Sequence, residues 1–314
     1  MKIKDFKKDM SSKAFLKENK NSSLELFKDF IRRYFYPIIN FFNHCIAIRS
    51  YPFLKKFNAD LILLSQRGND YQRHRRRLNS IKKIKGSTVL IVGVGTGRDI
   101  ESWVEYKPKK IIAIDIINYK KVWDYWKEYY KKSHNLEIQF LQKSITDLSF
   151  LNSNSIDIIS SDAVFEHIKE FDVSIKELYR VLKKKGFLYS TFGPLWYSWG
   201  GDHVSGTDNI NNGYNHLILS SNEYKTYLNS FGDYNHDPDD GRTWIYNDLF
   251  SYLKPKDYLN KIESQMFKKH FIQLIIDKRS FVYRKNNYKF KDLSNSFGIE
   301  NLIISGMSII YEKQ

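Results

Sequence analysis

The sequence predicts an α/β protein built on a doubly wound, mostly parallel sheet. Between residues 87 and 193, short apolar stretches alternate with helical ones, which is typical of parallel strands covered by helices. A glycine-rich loop, GVGTG, follows the first strand and opens a helix. Two apolar runs over 299–313, joined by Ser305-Gly306, predict a terminal β-hairpin.

Each predicted strand of the parallel sheet is a short apolar run. The five runs are 87–94 (STVLIVGV), 109–116 (KKIIAIDI), 136–141 (LEIQFL), 156–162 (IDIISSD) and 187–193 (FLYSTFG). Between and before them, apolar residues recur at helical spacing. The predicted helices span 69–86, 98–107, 119–133 and 173–186.

We divide the chain into an N-terminal helical extension, residues 1–80, and an α/β domain, residues 81–314. Residues 194–295 break the alternation and are interpreted as an insertion after the fifth strand. In the extension, 24–57 combines apolar residues at helical spacing with basic and aromatic residues that suit a membrane surface. We favour a helical pair packed on the domain, because the apolar positions are not confined to one face.

The composition excludes several classes of protein. Hydrophobic residues make up 42% of the 314 residues, which excludes a disordered chain. Cys45 is the single cysteine, so no intrachain disulfide and no thiolate metal cluster can form. The chain has no signal-type leader and no apolar run of about 18 residues, which predicts a cytoplasmic protein. The net charge of +16 reflects a lysine bias along the chain, and we favour a solvated surface over a nucleic-acid partner.

The loop after the first strand carries Gly93, Gly95 and Gly97. Glycine lets the backbone turn sharply and lets a ligand approach the main chain. The helix that follows offers free amides to anionic or polar groups. Asp115 lies at the end of the second strand, where a carboxylate can accept both hydroxyls of a ribose. The alternative for Asp115 is a cap on the following helix.

Polar residues also follow the third and fourth strands. The stretch QKSITDLSF comes after the third strand, where a loop would read the edge of a base. The stretch SSDAVFEHI places Asp162, Glu166 and His167 at the carboxyl edge of the sheet. Open α/β sheets bind their ligands at that edge, so these residues are candidates for a binding site.

Residues 87–193, together with the terminal runs, resemble a class I S-adenosylmethionine-dependent methyltransferase of the small-molecule type. The resemblance rests on VLIVGVGTG, IIAIDI, SITDLSF, IDIISSDAVFEHI and ELYRVLKKKGFLYSTF. It implies a Rossmann-like, seven-stranded sheet with an antiparallel last strand, and S-adenosylmethionine as cofactor. The sequence departs from the family pattern at Ile91 and Ser144, where acids are common.

The resemblance also implies which residues hold the cofactor. The glycine loop would hold the methionine end, Asp115 the ribose, and the Ser144-Ile145 pair the adenine, while Asp162 would line the methionine end and the acceptor. The implied cofactor residues are Gly93, Val94, Gly95, Thr96, Gly97, Asp115, Ile116, Ser144, Ile145 and Asp162. A divalent metal is not expected, although the acids and histidines near these loops are ligands of a suitable kind.

The catalytic candidates lie mainly where the chain leaves the fifth strand, in TFGPLWYSWGGDH. We expect His203 to act as general base, with His167 as the next candidate, because histidine titrates near neutral pH. Asp202 would orient the base or bind a metal. The Trp and Tyr residues of this stretch would shape the acceptor pocket, although aromatic side chains usually cover a core.

These residues predict methylation of a small-molecule hydroxyl, with a sugar from glycan biosynthesis as the favoured acceptor and 194–295 as the acceptor-binding insertion. An RNA-directed methyltransferase is one alternative, prompted by the charge and by RHRRRL at 73–78, although the fourth strand lacks an NPPY-type run. A non-catalytic cofactor-binding or scaffold protein is the other. Residues 31–57 leave a lipid acceptor and weak membrane-surface contact open, and the oligomeric state is not predicted.

Overall fold

The computed structural model describes residues 35–65, 71–234, 236, 240–286 and 289–314, which form one eight-stranded sheet covered by helices. The strands are β1 (Leu61–Ser65), β2 (Thr88–Val92), β3 (Lys110–Asp115), β4 (Glu137–Gln142), β5 (Ile156–Asp162), β6 (Leu182–Phe192), β7 (Phe267–Asp277) and β8 (Ile304–Lys313). Their order is β1-β7-β8-β6-β5-β2-β3-β4. β8 runs antiparallel to both neighbours, and every other pair is parallel.

Helices pack on both faces of this sheet. They are α1 (Tyr36–Ser50), α2 (Tyr71–Ile81), α3 (Glu101–Val104), α4 (Lys120–His134), α5 (Phe171–Val181), α6 (Asn215–Ile218), α7 (Ser221–Asn229), α8 (Gly241–Tyr246), α9 (Pro255–Glu263), α10 (Lys278–Asn286), α11 (Lys289–Phe297) and α12 (Ile299–Ile303). Alternate residues of β2 enter different cores: Val89 packs with residues of α2 and α4, and Leu90 with residues of α5 and α9. The predicted doubly wound α/β class is therefore confirmed.

The five predicted parallel strands are present, with shifted ends. The largest shift concerns the fifth, β6, which begins at Leu182 inside the predicted helix 173–186. The helix α5 already ends at Val181, because the residues that follow pair with β5 and β8. Pairing along the sheet therefore overrides the local preference of the Lys-rich turn for helix.

The predicted hairpin over 299–313 is corrected in its position. Residues 299–303 are the helix α12, and Ser305-Gly306 lies within the strand β8 rather than in a turn. β8 pairs antiparallel with β6 on one side and with β7 on the other, and β7 lies in the segment that we predicted to be an insertion. Glycine is needed on both sides where the chain after β6 crosses β8: a Cβ on Gly193 would lie 2.4 Å from the Ser305 carbonyl oxygen, and a Cβ on Gly306 would lie 2.9 Å from the Phe192 carbonyl oxygen.

The sheet therefore has eight strands rather than seven, because both flanking segments contribute one. β7 lies inside 194–295, so the predicted insertion contributes a strand to the sheet from residue 267 onward. β1 lies inside the predicted helical extension 1–80 and pairs with β7. The part of 24–57 that is described contains α1, whose Ala47 is buried while Phe41 and Phe42 are exposed.

Within the described residues, none of the helices is both long enough and apolar enough to span a membrane.

Candidate active site

A cavity of about 610 Å³ opens at the carboxyl edge of the sheet, where β2, β3, β4 and β5 end. Its wall includes the loops after these strands and two residues of the insertion, Trp244 and Leu249. Seven implied cofactor residues line it, namely Gly93, Gly95, Thr96, Asp115, Ile116, Ser144 and Ile145. The predicted cofactor residues on three different loops thus meet at one site.

The glycine loop is held by backbone and side-chain hydrogen bonds. The amides of Gly93 and Val94 donate to the Ile114 carbonyl at 2.8 and 3.1 Å. The indole of Trp123, on α4, donates to the Gly95 carbonyl at 2.8 Å. A Cβ on Gly93 would come within 2.1 Å of a methyl group of Val164, so only glycine fits there without displacing the opposite wall.

Asp115 joins this loop to the end of β3. Its Oδ2 accepts from the Gly95 amide and its Oδ1 from the Ile117 amide, each at 2.8 Å. Burial raises the pKa of Asp115, and the backbone amides counteract that shift. A carboxylate oxygen can accept more than one hydrogen bond, so each oxygen of Asp115 can also accept a hydroxyl of a ribose.

Ser144 and Ile145 form the wall after β4. The Ser144 hydroxyl lies 2.7 Å from the Thr146 hydroxyl and accepts from the Thr146 amide at 3.2 Å, while Ile145 is buried. The result is an apolar side chain beside two half-buried hydroxyls and backbone groups. With the open glycine loop and Asp115, this wall fits the adenosine part of S-adenosylmethionine.

Three implied cofactor residues do not line the cavity: Val94, Gly97 and Asp162. The Asp162 carboxylate forms an ion pair with the fully buried Arg75 of α2 and accepts from the Tyr189 hydroxyl at 2.9 Å. Arg75 also stacks on Trp103, 4.2 Å from the ring centre. In place of the ligand contact implied by the family, Asp162 holds α2 against the sheet, because its side chain turns toward that helix.

His167 is the predicted catalytic residue that reaches the cavity wall. Its Nδ1 lies 2.8 Å from the Leu249 carbonyl oxygen. A carbonyl only accepts, so Nδ1 carries the proton and Nε2 of the neutral ring carries the lone pair. Burial lowers the pKa of His167 to about 4. His167 is therefore a neutral ring at physiological pH with one basic nitrogen.

His203, the preferred base, lies behind His167 and does not line the cavity. The two imidazoles stack with their centres 4.9 Å apart, and the Trp244 indole stacks on His167 at 4.4 Å. Among the described residues, none forms a hydrogen bond with the buried His203 Nε2. Burial, together with the neighbouring His167, lowers the pKa of His203 to about 3. Its contacts make His203 a neutral packing partner of His167.

Asp202 does not orient either histidine. It is fully buried and accepts from the Ser205 amide at 2.7 Å, from the Ser205 hydroxyl at 2.6 Å and from the Tyr224 hydroxyl at 2.5 Å. Although burial raises its pKa, His216 and these hydrogen bonds lower the pKa of Asp202 overall. Asp202 thus stabilises the loop that follows β6.

The aromatic residues after β6 pack within the protein and do not line the cavity. Trp199 is buried and its indole donates to the Ile210 carbonyl at 3.0 Å, while Trp196 packs on Phe250 and Tyr197 on Phe297. The part of the insertion that lines the cavity is a different one, with Trp244 and Leu249.

Sequence reasoning missed Trp123, Trp244 and the role of Glu166. Trp244 ends the stretch HDPDDGRTW, whose acidic residues, proline and glycine favour a surface turn, yet Asp240 caps the short helix α8 that places this indole on the cavity wall. Glu166 is buried, accepts from the Gly193 amide at 2.9 Å, and has a pKa raised to about 8 by burial. The sequence does contain one signal for Trp244: a tryptophan that comes four residues after Asp240, a residue type that favours the start of a helix.

In the part of the chain that the structure describes, no three His, Cys, Asp or Glu side chains are grouped so that they could hold a metal ion. The acidic stretch HDPDDGRTW falls partly outside the described residues, at 237–239.

Residues 90–190 match the model of a family described as a methyltransferase domain. No curated protein matches the chain. Several solved structures are similar to it. A candidate sarcosine dimethylglycine methyltransferase from Galdieria sulphuraria is 12% identical, with a TM-score of 0.47 over 78% of this chain and 85% of that one.

Two further structures are similar at comparable levels. An S-adenosylmethionine-dependent methyltransferase from Mesorhizobium loti is 10% identical, with a TM-score of 0.46 over 76% of this chain and 96% of that one. A geranyl diphosphate C-methyltransferase from Streptomyces coelicolor, solved with Mg²⁺, geranyl diphosphate and S-adenosyl-L-homocysteine, is 9% identical, with a TM-score of 0.46 over 77% of each chain.

The family match extends from β2 into β6 and includes the glycine loop, Asp115 and His167. It thus covers the loops that form most of the cavity wall. The predicted enzyme class is confirmed over this range: residues 90–190 match a methyltransferase domain, and the predicted cofactor, S-adenosylmethionine, agrees with that match.

Proposed function

We propose that this enzyme methylates a hydroxyl group of a small molecule, with a sugar as acceptor, and that His167 accepts the hydroxyl proton. The observation that carries the proposal is the position of His167 on the cavity wall, with Nδ1 fixed as a donor by the Leu249 carbonyl. The cofactor supplies an electrophilic methyl group. The protein then has to position the hydroxyl and receive its proton, which are the contributions expected of such a site.

In this proposal the two ends of the cavity have different tasks. Gly93, Gly95, Asp115 and the Ser144-Ile145 pair would hold the cofactor. The acceptor would lie toward Val164, Ile168, Trp244 and Leu249, which line the part of the wall that includes His167. An indole face is suited to stacking on the C–H face of a sugar ring. Sugars that serve as precursors of glycans are the acceptors that we favour.

The basic helix α2 does not favour an RNA acceptor. Arg75 is buried in its ion pair with Asp162, and the Arg77 guanidinium lies 3.8 Å from the centre of the Phe271 ring. His74 is buried as well. Much of the run RHRRRL therefore packs inside the protein, where it cannot contact phosphates.

Calorimetric titration with S-adenosylmethionine and its demethylated product tests the cofactor half. We expect micromolar binding to the wild type and a loss of at least about tenfold in Asp115→Ala, since a charge-assisted hydrogen bond to a ribose contributes on that scale. Methyl transfer from radiolabelled cofactor to free sugars, nucleotide sugars and transfer RNA then tests the acceptor class. Binding without transfer to any panel would favour a non-catalytic protein, and transfer to RNA alone would contradict the proposal.

The role of His167 is tested against its stacking neighbour. We expect His167→Ala to reduce turnover about 100-fold or more without changing the cofactor Kd, as loss of a general base does. His203→Ala removes an imidazole of the same size just behind it and is the matched control, with a much smaller effect. Because the pKa of His167 is about 4, turnover in the wild type should persist down to about pH 5. Equal losses in the two variants would assign His167 a packing role only.

A further inference from the structure

The outer face of α1 is apolar and exposed. Between 49% and 62% of the surface of Ile38, Ile39, Phe41, Phe42 and Ile46 is accessible, whereas Ala47 is 1% exposed and Asn40 8% exposed. At the helical rotation of about 100° per residue, the five exposed residues occupy an arc of about 160°, and the two buried residues lie opposite. We call these five residues the α1 face.

Single exposed apolar side chains are common, but a contiguous group is not. The α1 face combines two neighbouring phenyl rings, whose centres are 6.0 Å apart, with three isoleucines, all within about two and a half helical turns. α1 itself contains no acidic residue. Contact of the α1 face with water is therefore unfavourable, and its transfer to an apolar phase would be favourable.

Cations surround the C-terminal end of this face. Residues 36–57 include Arg49, Lys55 and Lys56 but no Asp or Glu, and all three cations are exposed, although Lys56 also forms an ion pair with Glu300. Tyr51, directly after α1, stacks on Phe281 of α10 with ring centres 5.5 Å apart. This contact brings α10, with its exposed Arg284, to the same end of α1.

We infer that the α1 face is a peripheral membrane-binding surface, with its phenyl and isoleucine side chains inserted at the boundary of an anionic bilayer and the nearby cations at lipid phosphates. This combination of an apolar helix face and flanking Lys or Arg is what binding in the plane of the interface requires. A second copy of the chain is a less suitable occupant, because each copy carries a net charge of +16 and two such copies repel each other.

Co-sedimentation of the full chain with lipid vesicles tests this inference. The vesicles are phosphatidylcholine alone, or phosphatidylcholine with phosphatidylglycerol, each at low and high salt. We expect binding to the anionic vesicles that weakens as salt is added. The double variant Phe41→Ser/Phe42→Ser should bind at least about tenfold more weakly, since two phenyl rings no longer leave water.

Met266→Ser is the matched control, because Met266 is 68% exposed and belongs to a different segment of the chain, between α9 and β7. It should bind vesicles as the wild type does, and circular dichroism should show that all variants are folded. Equal binding by Met266→Ser and the double phenylalanine variant, or no binding by the wild type, would overturn the inference. So would equal binding to neutral vesicles, or sedimentation equilibrium showing a dimer that the double variant abolishes. None of these outcomes depends on the methyl acceptor.

Discussion

Gly93→Ala tests whether close packing shapes the cofactor loop. Gly93 has a φ of 67°, and a Cβ there would lie 2.1 Å from Val164 Cγ2. The left-handed conformation costs a residue other than glycine about 1–2 kcal/mol, and overpacking costs about 1–3 kcal/mol. We therefore expect the free energy of unfolding to fall by about 2–5 kcal/mol, measured by urea denaturation of the protein without cofactor.

Gly95→Ala is the matched control, because Gly95 also has a positive φ, 52°, but a Cβ there would meet no atom within 4 Å. It should lose only the backbone contribution of about 1–2 kcal/mol. Adding Val164→Ala to Gly93→Ala should restore part of the loss, since it removes the methyl groups that the new Cβ strikes. Equal destabilisation by the two glycine variants, with no recovery in the double variant, would refute the packing argument.

Three further variants test other contacts. Asp162→Asn should lower the free energy of unfolding by about 3–5 kcal/mol in urea denaturation, because it leaves the Arg75 guanidinium buried without its counter-charge. In the wild type, burial raises the pKa of Glu166 from 4.5 to about 8, so the unfolded state loses its proton first. Stability should then fall between about pH 5 and pH 8 by on the order of a few kcal/mol, and Glu166→Gln should flatten this slope in unfolding measured at both pH values. Trp244→Ala should raise the KM of the acceptor about five- to tenfold while the cofactor Kd in calorimetry stays constant, since it removes a stacking surface.

The first half of the sheet could be predicted because its signals are local. β2 and β3 each contain a continuous apolar run of four residues, and the glycine loop lies directly after β2, so strand, turn and ligand loop occur within a few residues. β7 and β8 could not be paired in this way. Helices α10, α11 and α12 separate them, and nothing in the intervening sequence specifies that the two strands return to each other.

The residues of the candidate site form the same two groups: some could be located from local sequence signals, and others only from the packed structure. Asp115 and Ser144 were found because their position at a strand end determines where they lie. Trp244 comes from a segment more than 70 residues beyond the loop of His167, and only the packed insertion shows that the two rings stack. The direction of the Asp162 side chain depends on Arg75, 87 residues away. A sequence shows which residues lie at the edge of the sheet. It does not show to which side of that edge a side chain such as Asp162 points, because residues far away in the chain determine this direction.

The place of β8 in the sheet has a consequence for biosynthesis. β8 lies between β6 and β7, so β1 and β7 have no link through the sheet to the other strands until residues 304–313 are present. On a translating ribosome, the cofactor loops can emerge and begin to order before β8 is synthesised, when β1 and β7 cannot yet join the rest of the sheet. The growing chain would expose two unpaired strand edges during that interval, which is when chaperones would most readily bind it.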